Sequence, residues 1–232
     1  MNRVAVICFW WGQWPEDNPG LGKYYVNRLK ESVARHTTIP YDFLVYVDGD
    51  KYRNVSLLND MTVVPLTKEF ESYRWNLKKM NMFDISAALH TYAWVVALDL
   101  DIVITDSIDF LLAHRSNGLV TCRGAYTDGI GGSIVGFSPR AFWTNFLVEY
   151  LHDNYAKVEK ETQGSERKFY QKFFGDDVLT SMVTFWQDTY PGKVLSYKLD
   201  KYKNGAAIVR FHGRPRPHEV EQNYSWIQEH WK

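Results

Sequence analysis

Residues 93–104 read AWVVALDLDIVI. The unbroken apolar run 93–98 predicts a strand buried on both faces, which hands two carboxylates, Asp99 and Asp101, to its C-terminal end. Upstream, 4–9 (VAVICF) has the same two-sided apolar character and predicts a first strand. Residues 43–47, closed by Asp48-Gly49-Asp50, predict a second strand, and 61–66 a third. Between the first two lie a turn-rich stretch, 12–22, and a helix on which Leu21, Tyr25, Leu29 and Val33 recur at four-residue spacing. The segment 77–88 is expected to be helical.

Downstream, 119–122 predicts another short strand, and glycines at 129, 131, 132 and 136 bracket Ser133-Ile134-Val135. Ser138-Pro139 is expected to start a helix, as an N-cap followed by proline in the first turn. The charged stretch 153–172 reads as a solvated excursion. Gly175-Asp176-Asp177 predicts a helix start, because acidic side chains favour the positive end of the helix dipole. Residues 206–211 predict a last strand, followed by a stiff loop, 212–218 (HGRPRPH). Strands alternating with helices predict an open α/β sheet, and no linker or repeat divides the 232 residues, so one domain, 1–232, is expected.

Composition narrows the function. The 27 Lys and Arg balance 27 Asp and Glu, which argues against a broad nucleic-acid-binding face. Two cysteines, Cys8 and Cys122, lie in apolar stretches and exclude a disulfide scaffold. No apolar run approaches the roughly 20 residues of a membrane-spanning helix. The start of the chain reads as a strand, not as a secretory leader, so a cytoplasmic protein is expected. Aromatic residues make up 16%, and core packing accounts for most of them.

Three features carry chemistry. Two aspartates one residue apart repel unless a cation or a proton intervenes, and an all-oxygen pair suits Mg²⁺ or Mn²⁺. The bland alternative is a turn with a capping aspartate. The tail VRFHGRPRPHE places His212 with Arg210, Arg214 and Arg216, an imidazole and guanidinium groups that match a metal and phosphate oxygens. Lys78-Lys79 offers a point charge to a phosphate, or simply an exposed helix face. If the tail is a lid, its three arginines have no anionic partner but the two aspartates, and the segment samples open states until a donor binds.

Taken in order, 79–83 (KMNMF), 98–104 (LDLDIVI) and 211–219 (FHGRPRPHE) resemble the motifs of GT-A glycosyltransferases, nearest to relatives of glycosyltransferase family eight. The resemblance runs the length of the chain and implies a GT-A type open mixed, mostly parallel sheet flanked by helices. It implies transfer of a sugar, with retention, from a nucleotide-sugar donor, a UDP-sugar above others, to a glycan, protein or modified nucleobase. Asp99, Asp101 and His212 would hold Mn²⁺ or Mg²⁺, with Lys79, Gly213 and Arg216 at the diphosphate. Phe9, Trp10, Trp11 and Gly12 would hold the base, and Asp176 or Asp177 would face the sugar. Gly132 and Ser133 fall near the family's acceptor segment, without its usual asparagine.

A rival is a haloacid-dehalogenase-type phosphatase, with Asp99 as nucleophile and Asp101 as general acid, completed by Thr121, by Lys168 or Lys172, and by 175–177. A nucleotidyltransferase and a non-catalytic carbohydrate-binding module are weaker alternatives. The first lacks a basic glycine-rich loop after the first strand, and the second leaves the acidic and arginine clusters without a role.

Overall fold

A computed structural model describes residues 3–11, 21–49, 61–84, 88–124, 129–175, 180–200 and 205–232. Among them a seven-stranded sheet is built from β1 (Val4–Trp10), β2 (Asp42–Val47), β3 (Thr62–Pro65), β4 (Trp94–Leu98), β6 (Leu119–Thr121), β7 (Ile134–Phe137) and β8 (Val183–Phe185), in the order β3-β2-β1-β4-β7-β6-β8. Only β7 runs antiparallel, to both β4 and β6; the other pairings are parallel. The mostly parallel mixed sheet expected from the sequence is therefore observed.

The apolar runs explain the layering. In β1, Val4, Val6, Cys8 and Trp10 enter one core while Ala5, Ile7 and Phe9 enter another. β4 divides in the same way, Trp94, Val96 and Leu98 against Val95 and Ala97. A strand with helices over both faces has no polar side, so its sequence is continuous rather than alternating. One face is covered by the helix Leu21–Arg35, which buries Tyr25, Val26, Leu29 and Val33. The other is covered by the helices Phe142–Asp153 and Glu166–Phe173 and by the 3₁₀ helix Trp75–Phe83.

A second sheet of three strands, β5 (Ile102–Ile104), β9 (Val194–Ser196) and β10 (Ile208–Arg210), places β10 in the middle. The antiparallel pair Arg210↔Ile102 brings the chain's tail beside the two aspartates. The Phe211 backbone N–H then donates to the Asp101 carbonyl at 2.9 Å.

Several local expectations are corrected. The helix expected over 77–88 is a 3₁₀ helix at 75–83, in which Leu77 and every residue from Lys79 to Phe83 are buried. The helix expected at Ser138-Pro139 begins later, with Ala141 as N-cap, after a turn in which Ala141 N–H donates to the Ser138 carbonyl. The supposed solvated excursion is two helices, Tyr155–Thr162 and Glu166–Phe173, that bury Val158, Glu166, Phe169 and Tyr170. Cys8 and Cys122 are free and buried, as expected. The helix start at Asp176 and Asp177 lies outside the described residues.

Candidate active site

The sheet order reverses direction at β1, whose two neighbours are β2 and β4. Ligands of open α/β sheets bind outside the strand C-termini at such a switch point. A cavity of about 500 Å³ opens there. β1 contributes Phe9 and is followed by Trp11, β2 is followed by Asp48, and β4 is followed by Asp99 and Asp101. The tail closes it with Phe211, His212 and Gly213. Gly213 has φ of +71°, a left-handed conformation that suits glycine.

Behind Asp99 lies a buried ion triad. Lys79 Nζ donates to Asp99 Oδ1 at 2.5 Å and to Glu166 Oε1 at 2.6 Å. The Lys79 and Glu166 side chains are 10% and 7% exposed, and Asp99 is 27% exposed where it meets the cavity. Burial disfavours the ammonium, but attraction to Asp99 and Glu166 outweighs it and raises the Lys79 pKa, so the lysine stays charged. Desolvation pushes the Glu166 carboxyl up against the pull of Lys79. Asp101 is pushed up to about 8, first by desolvation and then by Asp99, with Lys79 and Arg216 acting in the opposite direction. The pair therefore carries the like-charge conflict that its spacing implies.

His212 is half-buried, with Nε2 2.7 Å from Ser196 Oγ. Desolvation, then the charges of Arg210 and Lys198, lower its pKa and keep the ring neutral, the state a metal ligand needs. Asp99, Asp101 and His212 line one cavity. Among the described residues, however, no three His, Cys, Asp or Glu side chains converge as a metal cluster. Lys79 takes one oxygen of Asp99 in their place. The chemistry of the donor set, two carboxylates and a neutral imidazole, fits a hard divalent ion.

The remaining expected residues divide. Phe9 stacks on Tyr46 at 5.0 Å and meets Trp11 edge-on at 5.7 Å, so an aromatic wall faces the cavity. Trp10 points the other way into the core under β1, because successive side chains on a strand face opposite sides, and its expected place beside the base is corrected. Gly12 lies outside the described residues. Lys78-Lys79 is no exposed face: Lys78 Nζ pairs with Asp48 Oδ2 at 2.9 Å, and Lys79 is committed to the triad. Arg216 caps the short helix Pro217–Val220 and is not among the cavity's lining residues, although its charge reaches Asp101.

The expectation of a partnerless arginine tail is also corrected. Arg214 pairs with Glu219, Arg210 is buried with Nη1 donating to the Arg123 carbonyl at 3.3 Å, and His218 Nδ1 meets Tyr25 Oη at 2.5 Å. β10 pairs with β5 and β9, and His218 packs edge-on against Tyr25 of the helix Leu21–Arg35. The phosphatase constellation is not gathered either. Thr121 is fully buried and donates to the Gly131 carbonyl at 2.7 Å, Lys172 pairs with Glu161, and Lys168 is exposed.

Two residues were missed by the sequence reading. Glu166 sits in the stretch taken as solvated; the Phe169-Phe173 and Tyr170-Phe174 spacings were the available sign of a packed helix. Trp75 is 56% exposed at the cavity wall, with φ of +48°. A large residue in left-handed conformation is strained, and such strain clusters at ligand clamps.

Fold and site together define an open α/β architecture with an acidic pair at its switch point. No protein-family model matches the sequence, and comparison with curated proteins gives no match. Solved glycosyltransferases share the fold. The galactosyltransferase LgtC, solved with donor and acceptor sugar analogs, aligns with a TM-score of 0.63 over 98% of this chain and 96% of its own, at 11% identity. GlyE of Streptococcus pneumoniae TIGR4 aligns with a TM-score of 0.62 at 11% identity, over 99% of this chain and 63% of GlyE. The bifunctional WbbM gives 0.62 at 13% identity, over 98% of this chain and 49% of WbbM. The chain has the GT-A type glycosyltransferase fold. No helix of the described residues is long and apolar enough to cross a membrane.

Proposed function

We propose that this chain is a metal-dependent glycosyltransferase of the family-eight kind, transferring a sugar from a UDP-sugar to an acceptor with retention. The observation that carries the reading is the shared cavity of Asp99, Asp101 and His212 in a fold that spans LgtC nearly end to end. Asp99, Asp101 and His212 would hold Mn²⁺ or Mg²⁺. A bound divalent ion would neutralise charge that grows on the diphosphate leaving group.

The chain's own groups supply the rest. Phe9 and Trp11 offer an aromatic wall for the base. Lys78 stands at the cavity wall in an ion pair with Asp48. Arg216 adds positive charge toward Asp101 and the phosphates. The docked tail covers the acidic pair and limits access of water, and with it wasteful hydrolysis of the donor.

Calorimetry of UDP with Mn²⁺, without metal, and with EDTA tests the reading. Binding is expected only with metal, and Asp101→Asn is expected to weaken it by about tenfold or more, since even outer-shell changes around metals cost about 10–100-fold. Equal affinity in all three conditions would overturn it.

A further inference from the structure

A second cavity of about 210 Å³ adjoins the first, and Asn76, Ser133 and His212 line both. The helix Glu166–Phe173 begins at its wall, so that the N-cap Ser165, Glu166 and Arg167 all line it, together with Arg210. Arg167 is half-buried, and its guanidinium makes no hydrogen bond or ion pair among the described residues. Arg210 is buried, with Nη1 on the Arg123 carbonyl at 3.3 Å, and acts on the cavity through its charge. Lys198 adds a third cation: the charges of Arg210, Lys198 and Arg167 all reach His212 on the shared wall.

Acidic groups do not offset these cations. Glu166 is the one carboxylate among the described residues that line the cavity. Its Oε1 is held by Lys79 at 2.6 Å, and its Oε2 is sealed from any occupant. The helix end adds to the positive potential, because its first N–H groups have no intrahelical acceptor and carry the positive end of the dipole.

The two cavities divide the labour. The acidic pair lines only the first, where the diphosphate is placed above, and the cations Arg167 and Arg210 line only the second. What reaches across the shared wall is the sugar joined to the diphosphate or the acceptor that attacks it. The volume equals about seven waters at about 30 Å³ each, the scale of one substituted sugar ring. A guanidinium offers a planar fork that matches a carboxylate or a phosphate and gains most where water is partly excluded.

Resting on the nucleotide-sugar reading above, we infer that the second cavity is an oxyanion subsite in which Arg167 pairs with the carboxylate or phosphate of an acidic sugar, carried by the donor or by the acceptor. Arg210 and the helix end supply the supporting field. Glu166 holds Lys79 and leaves the cavity's charge to the arginines.

The test uses the full chain with Mn²⁺. In one arm, calorimetry compares UDP, UDP-glucose with UDP-glucuronic acid, and UDP-galactose with UDP-galacturonic acid; each sugar pair exchanges a hydroxymethyl for a carboxylate. In the other arm the protein is saturated with UDP and titrated with glucose, glucuronic acid and glucose 6-phosphate. An acidic sugar is expected to bind about tenfold or more tightly than its neutral counterpart in one arm, the value of a charge-assisted hydrogen bond, and the arm that shows it identifies the source. Arg167→Gln should bring that acid to within about twofold of the neutral sugar. A preference that survives in Arg167→Gln would overturn the inference. So would an equal loss for UDP alone, which would make Arg167 a ligand of the diphosphate. A wild type that binds UDP with Mn²⁺ but prefers no acidic sugar in either arm overturns the subsite alone. Failure to bind UDP or any UDP-sugar overturns the donor reading as well.

Discussion

Asp99 and Glu166 hold the same ammonium at nearly the same distance, 2.5 and 2.6 Å, yet they come from opposite kinds of sequence. Asp99 ends the most apolar strand, where any carboxylate stands out. Glu166 begins a helix in a charged stretch, where one more carboxylate is invisible. Asp99 faces the cavity and Glu166 lies behind it. The difference teaches that a charged residue is read by its background, while its burial is decided by what packs over it.

Removing the shared cation should have the largest effect on stability. Lys79→Met leaves Asp99 and Glu166 without their counter-charge, and breaking a buried ion pair from one side costs about 3–5 kcal/mol. Urea denaturation measures it, and a loss below about 1 kcal/mol would mean that water already screens the triad.

Next comes Gly132→Ala, which drives a methyl into the buried Glu166 carboxylate. Overpacking of this kind costs about 1–3 kcal/mol. The same measurement in the Glu166→Ala background should recover most of the loss, a coupling that identifies the contact.

Glu166→Gln should cost less, about 1 kcal/mol, because the amide still accepts from Lys79 and the lysine keeps Asp99. If Glu166→Gln destabilised as much as Lys79→Met, the two carboxylates would not be sharing one cation as the geometry implies.

The smallest effect is expected at Asp109, a half-buried surface carboxylate outside the site. It accepts from Thr37 Oγ1 at 2.5 Å, Thr38 N at 2.8 Å and Thr38 Oγ1 at 2.7 Å. Desolvation works against its charge, but these hydrogen bonds outweigh it and lower its pKa. A depressed carboxyl contributes stability above the ordinary Asp range, near 3.9, and loses it as pH falls through the folded value. Asp109→Asn should therefore cost about 1 kcal/mol or less at pH 7 and flatten the acid limb of the stability curve, checked by thermal melts from pH 2 to 7.

Much of the fold was legible for a simple reason. A strand buried on both faces must be apolar along its buried length, as β1, β4 and residues 43–47 of β2 are, so local composition carried their identity. Not every short strand was legible. β5, β8 and β9 have three residues each, too few to show a period, whereas β6 and β10, equally short, were expected because longer apolar runs, 119–122 and 206–211, contain them. The segment Trp75–Phe83 was legible as a helix but not as a 3₁₀ helix, because burial of Leu77 and of every residue from Lys79 to Phe83 leaves no period to read.

By itself the sequence determined the layering of the large sheet, the acidic pair at the end of β4 and the reduced cysteines, since each depends on residues adjacent along the chain. Tertiary structure decided the rest. It drew the tail onto Asp101 through a three-residue pairing with β5. It also gave Lys79 to two carboxylates 20 and 87 residues away. The energy of a buried charge depends on what surrounds it in space, and neighbours at such separations leave no pattern in one chain.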